Sequence, residues 1–436
     1  MNLTQLKASF VQAGCVALYA KPLAENDNSK NQVYFGPGFQ ALNLFPNEGI
    51  VPDSSPKNPI FKARLRFGWL LPNGQVADAP NAQLILYPQY PEVRFSGFLK
   101  GCKAAPSDLM AGRIEGRVLF IGASSDKRIL GFVVGAGSQL AAEFQALRLE
   151  PTLGVFTELE LPRISGGEDS RRRLLAELKR IHDMGWIDSR QLDSSGIFKP
   201  CLAQNCGGFT LEAEFGIPKN SQSEPDFLGW EIKQHGVTNF DRPDSSASIT
   251  LMTPEPNRGF YQEHGMAQFV RKYGYPDKKG RVDRLNFGGV HRVGERHLAT
   301  HLLLITEGYD ATRDLITDAN GCVALMSESG EMAAGWAFNS LFEHWSRKHA
   351  KAAYVPSQCR TEPWRQYAYG HKVRLAQGTD SLRLLKALAS GSVFYDPGIK
   401  LENASSDTPH SKPRSQFRIA SKNISAIYEG VETVEL

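Results

Sequence analysis

No stretch of this chain approaches the ~20 consecutive apolar residues a bilayer-spanning helix needs. Its first residues, MNLTQLKASFVQAGC, lack the apolar centre and small-residue cleavage site of a secretory leader. A transmembrane protein and a secreted one are therefore not expected. Cysteine is sparse, with six in 436 residues (Cys15, Cys102, Cys201, Cys206, Cys322 and Cys359). Only Cys201 and Cys206 are close, and no second pair completes a zinc site with them. The scatter fits reduced thiols and a cytoplasmic location in a bacterial or archaeal cell. His297 and His301 have the spacing of helical metal ligands, but they border the apolar run Leu302 to Ile305, which reads as a strand, so zinc is not expected there.

Charge of one sign is also scarce. The chain carries 50 Lys+Arg against 46 Asp+Glu, a net +4, too little to argue for a polyanionic partner. Residues 1–150 hold 15 basic and 11 acidic side chains, and the remainder holds 35 of each. Any surface for a polyanion in the second part must be a local patch. Hydrophobic content of 41% and charged content of 22% describe an ordinary globular protein long enough for two or three cores.

The first 150 residues alternate as β-strands do. Phe61 to Trp69 places Phe61, Ala63, Leu65, Phe67 and Trp69 on one face and Lys62, Arg64 and Arg66 on the other. Gln83 to Tyr87, Glu92 to Phe98 and Arg117 to Ile121 read as further strands, broken by Gly and Pro as in a small barrel. The Lys62/Arg64/Arg66 row is either a solvated face or a phosphate-contacting one. A boundary is expected near 160–170, giving a unit 1–160, a linker 161–170 and a second unit 171–436. In the second unit, Leu174, Leu175, Leu178 and Ile181 recur at helical spacing with Arg171 to Arg173 opposite. Gly207 to Gly216 reads as a short helix with Thr210 as a possible N-cap and Gly216 as its stop. Ser248 to Met252, His301 to Thr306, Cys322 to Met326 and Ala352 to Val355 read as strands. Trp336 to Lys348 reads as a core helix, and the polar segment 402–416 as a mobile loop able to wrap a ligand. Helices alternating with a small mixed sheet indicate an α/β domain.

The most informative segment is Pro225 to Lys233, a turn running into a strand that ends on Glu231 and Lys233. Strand alternation puts Trp230 and Ile232 on one face and Glu231 and Lys233 on the other, with Asp226 at the entrance. Two carboxylates and an ammonium suit Mg²⁺-dependent phosphodiester hydrolysis: the carboxylates hold a hard cation, and the lysine positions water. A D-x4-E-x-K string arises by chance in about one chain in ten of this length. Spacing alone thus favours a surface salt bridge on an edge strand over a catalytic site.

The residues around this motif resemble the MvaI/BcnI restriction endonucleases, relatives of the MutH mismatch-repair nickase in the PD-(D/E)xK superfamily. Gly208, Thr210, Leu211, Glu212, Gly216 and Ile217 match the family's glycine-led helix bearing a glutamate, and Asp226, Glu231 and Lys233 match its triad. The resemblance continues through Trp336–Trp345, Lys351–Pro356, Tyr369-Gly370-His371 and Ser415–Ile419, covering about 170–436. Residues 15–145 are similar to the N-terminal effector domain of the restriction enzyme EcoRII, a DNA-binding pseudobarrel shared with the plant B-three transcription factors. The similarity rests on Lys21–Asp27, Gln32-Val33, Glu92-Val93-Arg94 and Ala123–Asp126. The chain lacks that domain's glycine-rich stretch and has Asn31 where EcoRII has histidine.

These resemblances imply a two-domain fold, an all-β DNA-binding pseudobarrel followed by an α/β nuclease. They imply a type II, specifically IIE, restriction endonuclease that uses Mg²⁺ to cut CCWGG after the second cytosine. It would act as a monomer by sequential nicking of double-stranded DNA, with a second bound site stimulating cleavage. Asp226, Glu231 and the Ile232 carbonyl would hold the metal, Lys233 would polarise the attacking water, and Glu212 would reach in from its helix. His235 would approach a phosphate. DNA contacts would come from Lys21, Asn26, Asp27, Arg64, Arg66, Glu92 and Arg94 in the first domain. In the second, base reading through bidentate contacts to guanine in the major groove would come from His371, Lys372, Lys412, Arg414 and Arg418. A MutH-like repair nickase and a non-cleaving DNA-binding regulator are the competing readings.

Overall fold

A computed structural model describes residues 1–25, 31–162, 170–203, 205–218, 225–243 and 246–436. The chain separates into two compact units, Met1–Asp169 and Ser170–Leu436. Among the described residues no helix is long and apolar enough to cross a membrane.

The first unit is built from two sheets. One runs in the order Thr157–Glu158, Cys15–Leu23, Arg117–Ser124, Ile129–Val134, Phe67–Leu70, Val76–Asp78. The other runs Val33–Pro37, Glu92–Ser96, Gln83–Tyr87, Ile60–Arg64, Ile50–Asp53. Both are open at their edges, and the described strands form no closed barrel. The alternation from Phe61 to Trp69 predicted one strand, but the chain bends at Leu65-Arg66 and serves both sheets. There Leu65 N–H donates to the Ala82 carbonyl (3.0 Å) and Arg66 C=O accepts from Ile129 N–H (2.8 Å), which hands the backbone from one ladder to the next. Periodicity survives the bend because Phe61, Ala63, Leu65, Phe67 and Trp69 are all buried. Their aromatic neighbours Phe35, Phe95 and Phe98 stack at centroid spacings near 5 Å (Phe35–Phe95 5.0 Å, Phe95–Phe98 4.7 Å).

The second unit is organised around a central strand, Lys351–Arg360. On one edge it pairs in parallel with the motif strand Glu231–Gly236. On the other it pairs antiparallel with Gln366–Tyr369 and Lys372–Gln377, whose register slips at Gly370-His371. The slip lets Phe240 pack where a side chain on Gly370 would stand, since a Cβ there would fall 2.5 Å from the ring. The helix Ser170–Asp183 covers one face of this sheet. Leu174, Leu178 and Ile181 join Trp230, Ile232, Ala353, Val355, Tyr367 and Tyr369 in one core. Each such side chain withdrawn from water contributes about 1.5–3 kcal/mol, which anchors the apolar side of the motif strand.

Four expectations are corrected. The motif strand begins, rather than ends, on the acid and base. Phe227 and Trp230 exchange backbone hydrogen bonds (2.9 and 2.8 Å) across Leu228 and Gly229, both at positive φ, and this tight turn delivers the chain to Glu231. The predicted helix at Trp336 starts at Phe338, because Met332–Ala337 pairs with Cys322–Met326. Segment 402–416 is not an open loop: His410–Lys412 pairs with Gly398–Glu402. Finally, Cys201 and Cys206 are joined in a disulfide, leaving Cys15, Cys102, Cys322 and Cys359 as thiols. Among the described residues five further antiparallel sheets, two of them two-stranded, make the unit richer in β-structure than alternating helices and strands predicted.

Candidate active site

Glu212 lies on the helix Cys206–Glu214, which is fixed at several points. The Thr210 hydroxyl is buried mid-helix rather than capping it; it accepts from Arg190 N–H and donates to Arg190 C=O, both at 3.1 Å. The Arg190 guanidinium pairs with Glu214 (2.7 Å), and the Tyr369 hydroxyl donates to Gly207 C=O (2.7 Å). Gly207 allows the helix to sit against the motif strand. A Cβ there would lie 3.0 Å from the Gln234 carboxamide and 3.1 Å from the Tyr367 ring. At the other end Gly216 turns at φ 72°, and Ile217 N–H returns to Glu212 C=O (2.9 Å).

The helix, the turn and the motif strand bring Glu212, Asp226, Glu231 and Lys233 into one electrostatically coupled group. Asp226 Oδ2 accepts from Ile232 N–H (2.9 Å), so the turn and the strand lock each other. Glu231 is almost fully buried, and its Oε1 accepts from Lys233 Nζ at 2.5 Å. Its other oxygen, Oε2, is buried with no hydrogen-bond partner. An orphaned carboxylate oxygen in a protein interior costs about 1–3 kcal/mol or more. It is therefore the natural place for a cation or its bound water.

Proton affinities divide sharply. Burial, reinforced by the neighbouring carboxylates, pushes Glu212 up to about 7 and Asp226 up to about 6. Burial acts on Glu231 in the same direction, but Lys233 and Lys348 together hold it below the usual carboxylate range. Burial works against the Lys233 ammonium, yet Glu231 and Asp226 keep it charged.

Sequence reasoning passed over a second layer of this group. Lys348, at the end of the helix Phe338–Lys348, brings its ammonium to 3.7 Å from Glu231 Oε1. Behind it, His349 Nε2 lies 3.2 Å from Leu251 C=O, so that nitrogen carries the hydrogen and Nδ1 is bare. The Tyr428 hydroxyl faces Nδ1 at 3.5 Å and the Tyr354 hydroxyl at 3.2 Å. The one consistent polarity runs Tyr354 to Tyr428 to His349, leaving the Tyr354 oxygen free to accept. Tyr354 is the register partner of Lys233 on the adjacent strand. The only local sequence signal was the position of Lys348 and His349 directly before a predicted strand.

The other candidates fall in different places. His235 is buried and bonded to Pro243 C=O (3.0 Å), not directed at a ligand. His371 and Lys372 flank the register slip within the sheet, 3.6 and 3.3 Å from Asp241. Arg418 is half-buried, tied to Asp396 (2.5 Å) and to Ser248 C=O (2.8 Å), and so acts within the fold. Lys412 and Arg414 are exposed. In the first unit Lys21 is buried, with its ammonium lowered to about 8 by desolvation, which removes it from any surface. Arg66 bonds the Asp126 carbonyl (2.7 Å), Arg94 pairs with Glu92 (2.7 Å), and Arg64 is exposed. Asn26 and Asp27 lie outside the described residues.

The sequence model of the MvaI/BcnI restriction endonuclease family matches residues 175–428, well over half the chain, and spans all four site residues. The chain belongs to the MvaI/BcnI restriction endonuclease family. As a member it is a type II site-specific DNA nuclease. Among solved structures, it is similar to the restriction endonuclease MvaI–cognate DNA substrate complex at 16% identity and a TM-score of 0.46. That match covers 62% of this chain and 99% of the other. It is also similar to restriction endonuclease MvaI in the absence of DNA, at 15% identity and a TM-score of 0.34, over 62% and 100% of the two chains. No curated protein sequence matches the chain.

Proposed function

We propose that this MvaI/BcnI-family enzyme is a Mg²⁺-dependent type IIE restriction endonuclease. It cleaves both strands of CCWGG after the second cytosine, as a monomer nicking one strand and then the other. The reading of its first unit is a DNA-binding effector pseudobarrel of the EcoRII kind. One observation carries the catalytic part: Glu212, Asp226, Glu231 and Lys233 share one buried cluster in which a Glu231 oxygen has no partner.

The donor set fits a hard divalent cation. Among the described residues no three acidic, histidine or cysteine side chains form a ready-made cage. Mg²⁺ does not require one, since it keeps several waters and binds through one or two carboxylates. Asp226 and Glu231 would hold it, with the Ile232 carbonyl as the backbone donor. When bound, the cation supplies Lewis-acid polarisation of the phosphate and a more acidic water. Lys233, charged and held by Glu231, is placed to orient that water and to offset negative charge developing on the phosphoryl oxygens. Glu212, with its proton affinity near neutrality, can take the proton the water gives up. The helix clamp at Gly207 and Thr210 keeps Glu212 facing the strand while this happens.

The test is to incubate the protein with Mg²⁺ and plasmids carrying zero, one or two CCWGG sites. Linearisation of the one-site plasmid, faster with two sites, is expected, and Asp226→Ala should abolish it. Nicking that never becomes a double-strand break would favour the MutH-like reading, and no cutting of any plasmid would overturn the proposal.

A further inference from the structure

The four-stranded sheet Tyr275–Pro276, Arg284–Gly288, Gly398–Glu402, His410–Lys412 has one apolar and one polar face. Phe287, Ile399 and Leu401 are buried beneath it. On the other face the registers Tyr275↔Asn286, Asn286↔Lys400 and Lys400↔Lys412 set these side chains in one row across the strands. Directly opposed residues lie about 4.5–5.5 Å apart, and like charges so placed destabilise a sheet. Lys400 and Lys412 are such a pair, and both are exposed. The carboxylates of this face are already engaged. Glu402 pairs with Arg284 at 3.1 Å, and Asp277 accepts from Asn286 at 2.8 Å. Among the described residues neither lysine has an acidic partner. Arg414, beside Gly398, and Lys278, whose ammonium lies 5.4 Å from the Tyr275 ring, add further positive charge.

We infer that the opposed Lys400–Lys412 pair, framed by Arg414 and Lys278, is a docking surface for the phosphate backbone of duplex DNA outside the scission site. This rests on the nuclease reading above and assigns the segment around Lys412 to backbone contact in place of base reading. An anion bridging the two ammoniums relieves their mutual repulsion, and the enzyme's substrate is a dense array of such anions. A contact of this kind holds the duplex without regard to sequence.

The experiment measures duplex binding by the full chain in EDTA, where no cutting occurs, across a salt series, for wild type, Lys400→Gln, Lys412→Gln and the double variant. The slope of log affinity against log salt should fall by about 1 in the double variant. The loss should be the same on a CCWGG duplex and on one lacking the site. Melting temperatures should be unchanged or slightly higher, because a like-charge contact is removed. An unchanged slope in the double variant, with the wild type binding and cutting, would overturn the docking surface alone. A loss confined to CCWGG duplexes would overturn it in favour of base reading. A wild type that neither binds nor cuts DNA would overturn the functional reading on which it rests.

Discussion

Replacing Glu212 with glutamine should stabilise the protein while disabling it, and the gain should grow as pH rises from about 4.5 to about 7. The carboxyl is held near 7 by burial and by Asp226, against an ordinary value of 4.5. Between those values the folded state binds more protons than the unfolded one, so stability falls as pH rises through that window. At pH 8 the full gap applies: about 2.5 units at 1.36 kcal/mol each gives an upper figure of ~3 kcal/mol. Water penetration and coupling to Asp226 bring the expected effect to about 1–3 kcal/mol. At pH 5 the folded state already carries the proton, and the remaining cost is under about 1 kcal/mol. For a unit of this size each kcal/mol moves the melting temperature by roughly 2–4 °C. Differential scanning fluorimetry at pH 8 and pH 5, in EDTA, reads this directly. Glu212→Gln should melt several degrees higher than wild type at pH 8 and close to it at pH 5. Mg²⁺ should narrow the difference at pH 8, because cation binding stabilises the ionised wild-type cluster. Equal shifts at both pH values would show that the charge of Glu212 is not what strains the site.

Gly207→Ala pushes a methyl against Gln234 and Tyr367, so Glu212 shifts with its helix; single-turnover cutting should slow about tenfold or more, and an unaltered rate would show that this contact does not position Glu212. Lys233→Ala should lower the cutting rate by about 10²–10⁴, measured at saturating DNA, and a near-wild-type rate would exclude a role for that ammonium. Tyr428→Phe removes the acceptor for Tyr354 and the donor to His349, and is expected to reduce the rate about tenfold with little change in melting temperature; a large melting shift with normal cutting would make the chain structural only. Thiol titration of unfolded, unreduced protein should count four reactive cysteines. Cys201→Ser with Cys206→Ser should cost about 2 kcal/mol for so short a loop. Six reactive thiols before reduction would mean the bond does not form in solution.

Local pattern carried a good deal of the second unit. Leu174, Leu178 and Ile181 declared their helix because a helix buries one stripe, and Trp230 and Ile232 declared the buried side of the motif strand by alternation. The same rules misplaced boundaries wherever two elements of one polarity abut. Trp336 is apolar on a strand just as it would be on a helix, and the bend at Leu65-Arg66 leaves the alternation intact. Lys21 shows the reverse failure: a lysine reads as surface until the strands around it are in place. Lys348 and His349 had no legible role, since their relation to Glu231 comes through pairing of strands more than a hundred residues apart.

The amino-acid sequence by itself determined which chemistry is available: three carboxylates and a lysine at spacings that a turn, a strand and a short helix can present. It did so because those spacings depend only on local backbone geometry. Tertiary structure alone decided that the four act as one group, that Glu231 keeps an unpartnered oxygen, and that burial raises the proton affinities of Glu212 and Asp226. It also set Lys400 against Lys412 by strand register. Burial and charge coupling arise only when distant segments displace water from between them, and no short-range pattern encodes that.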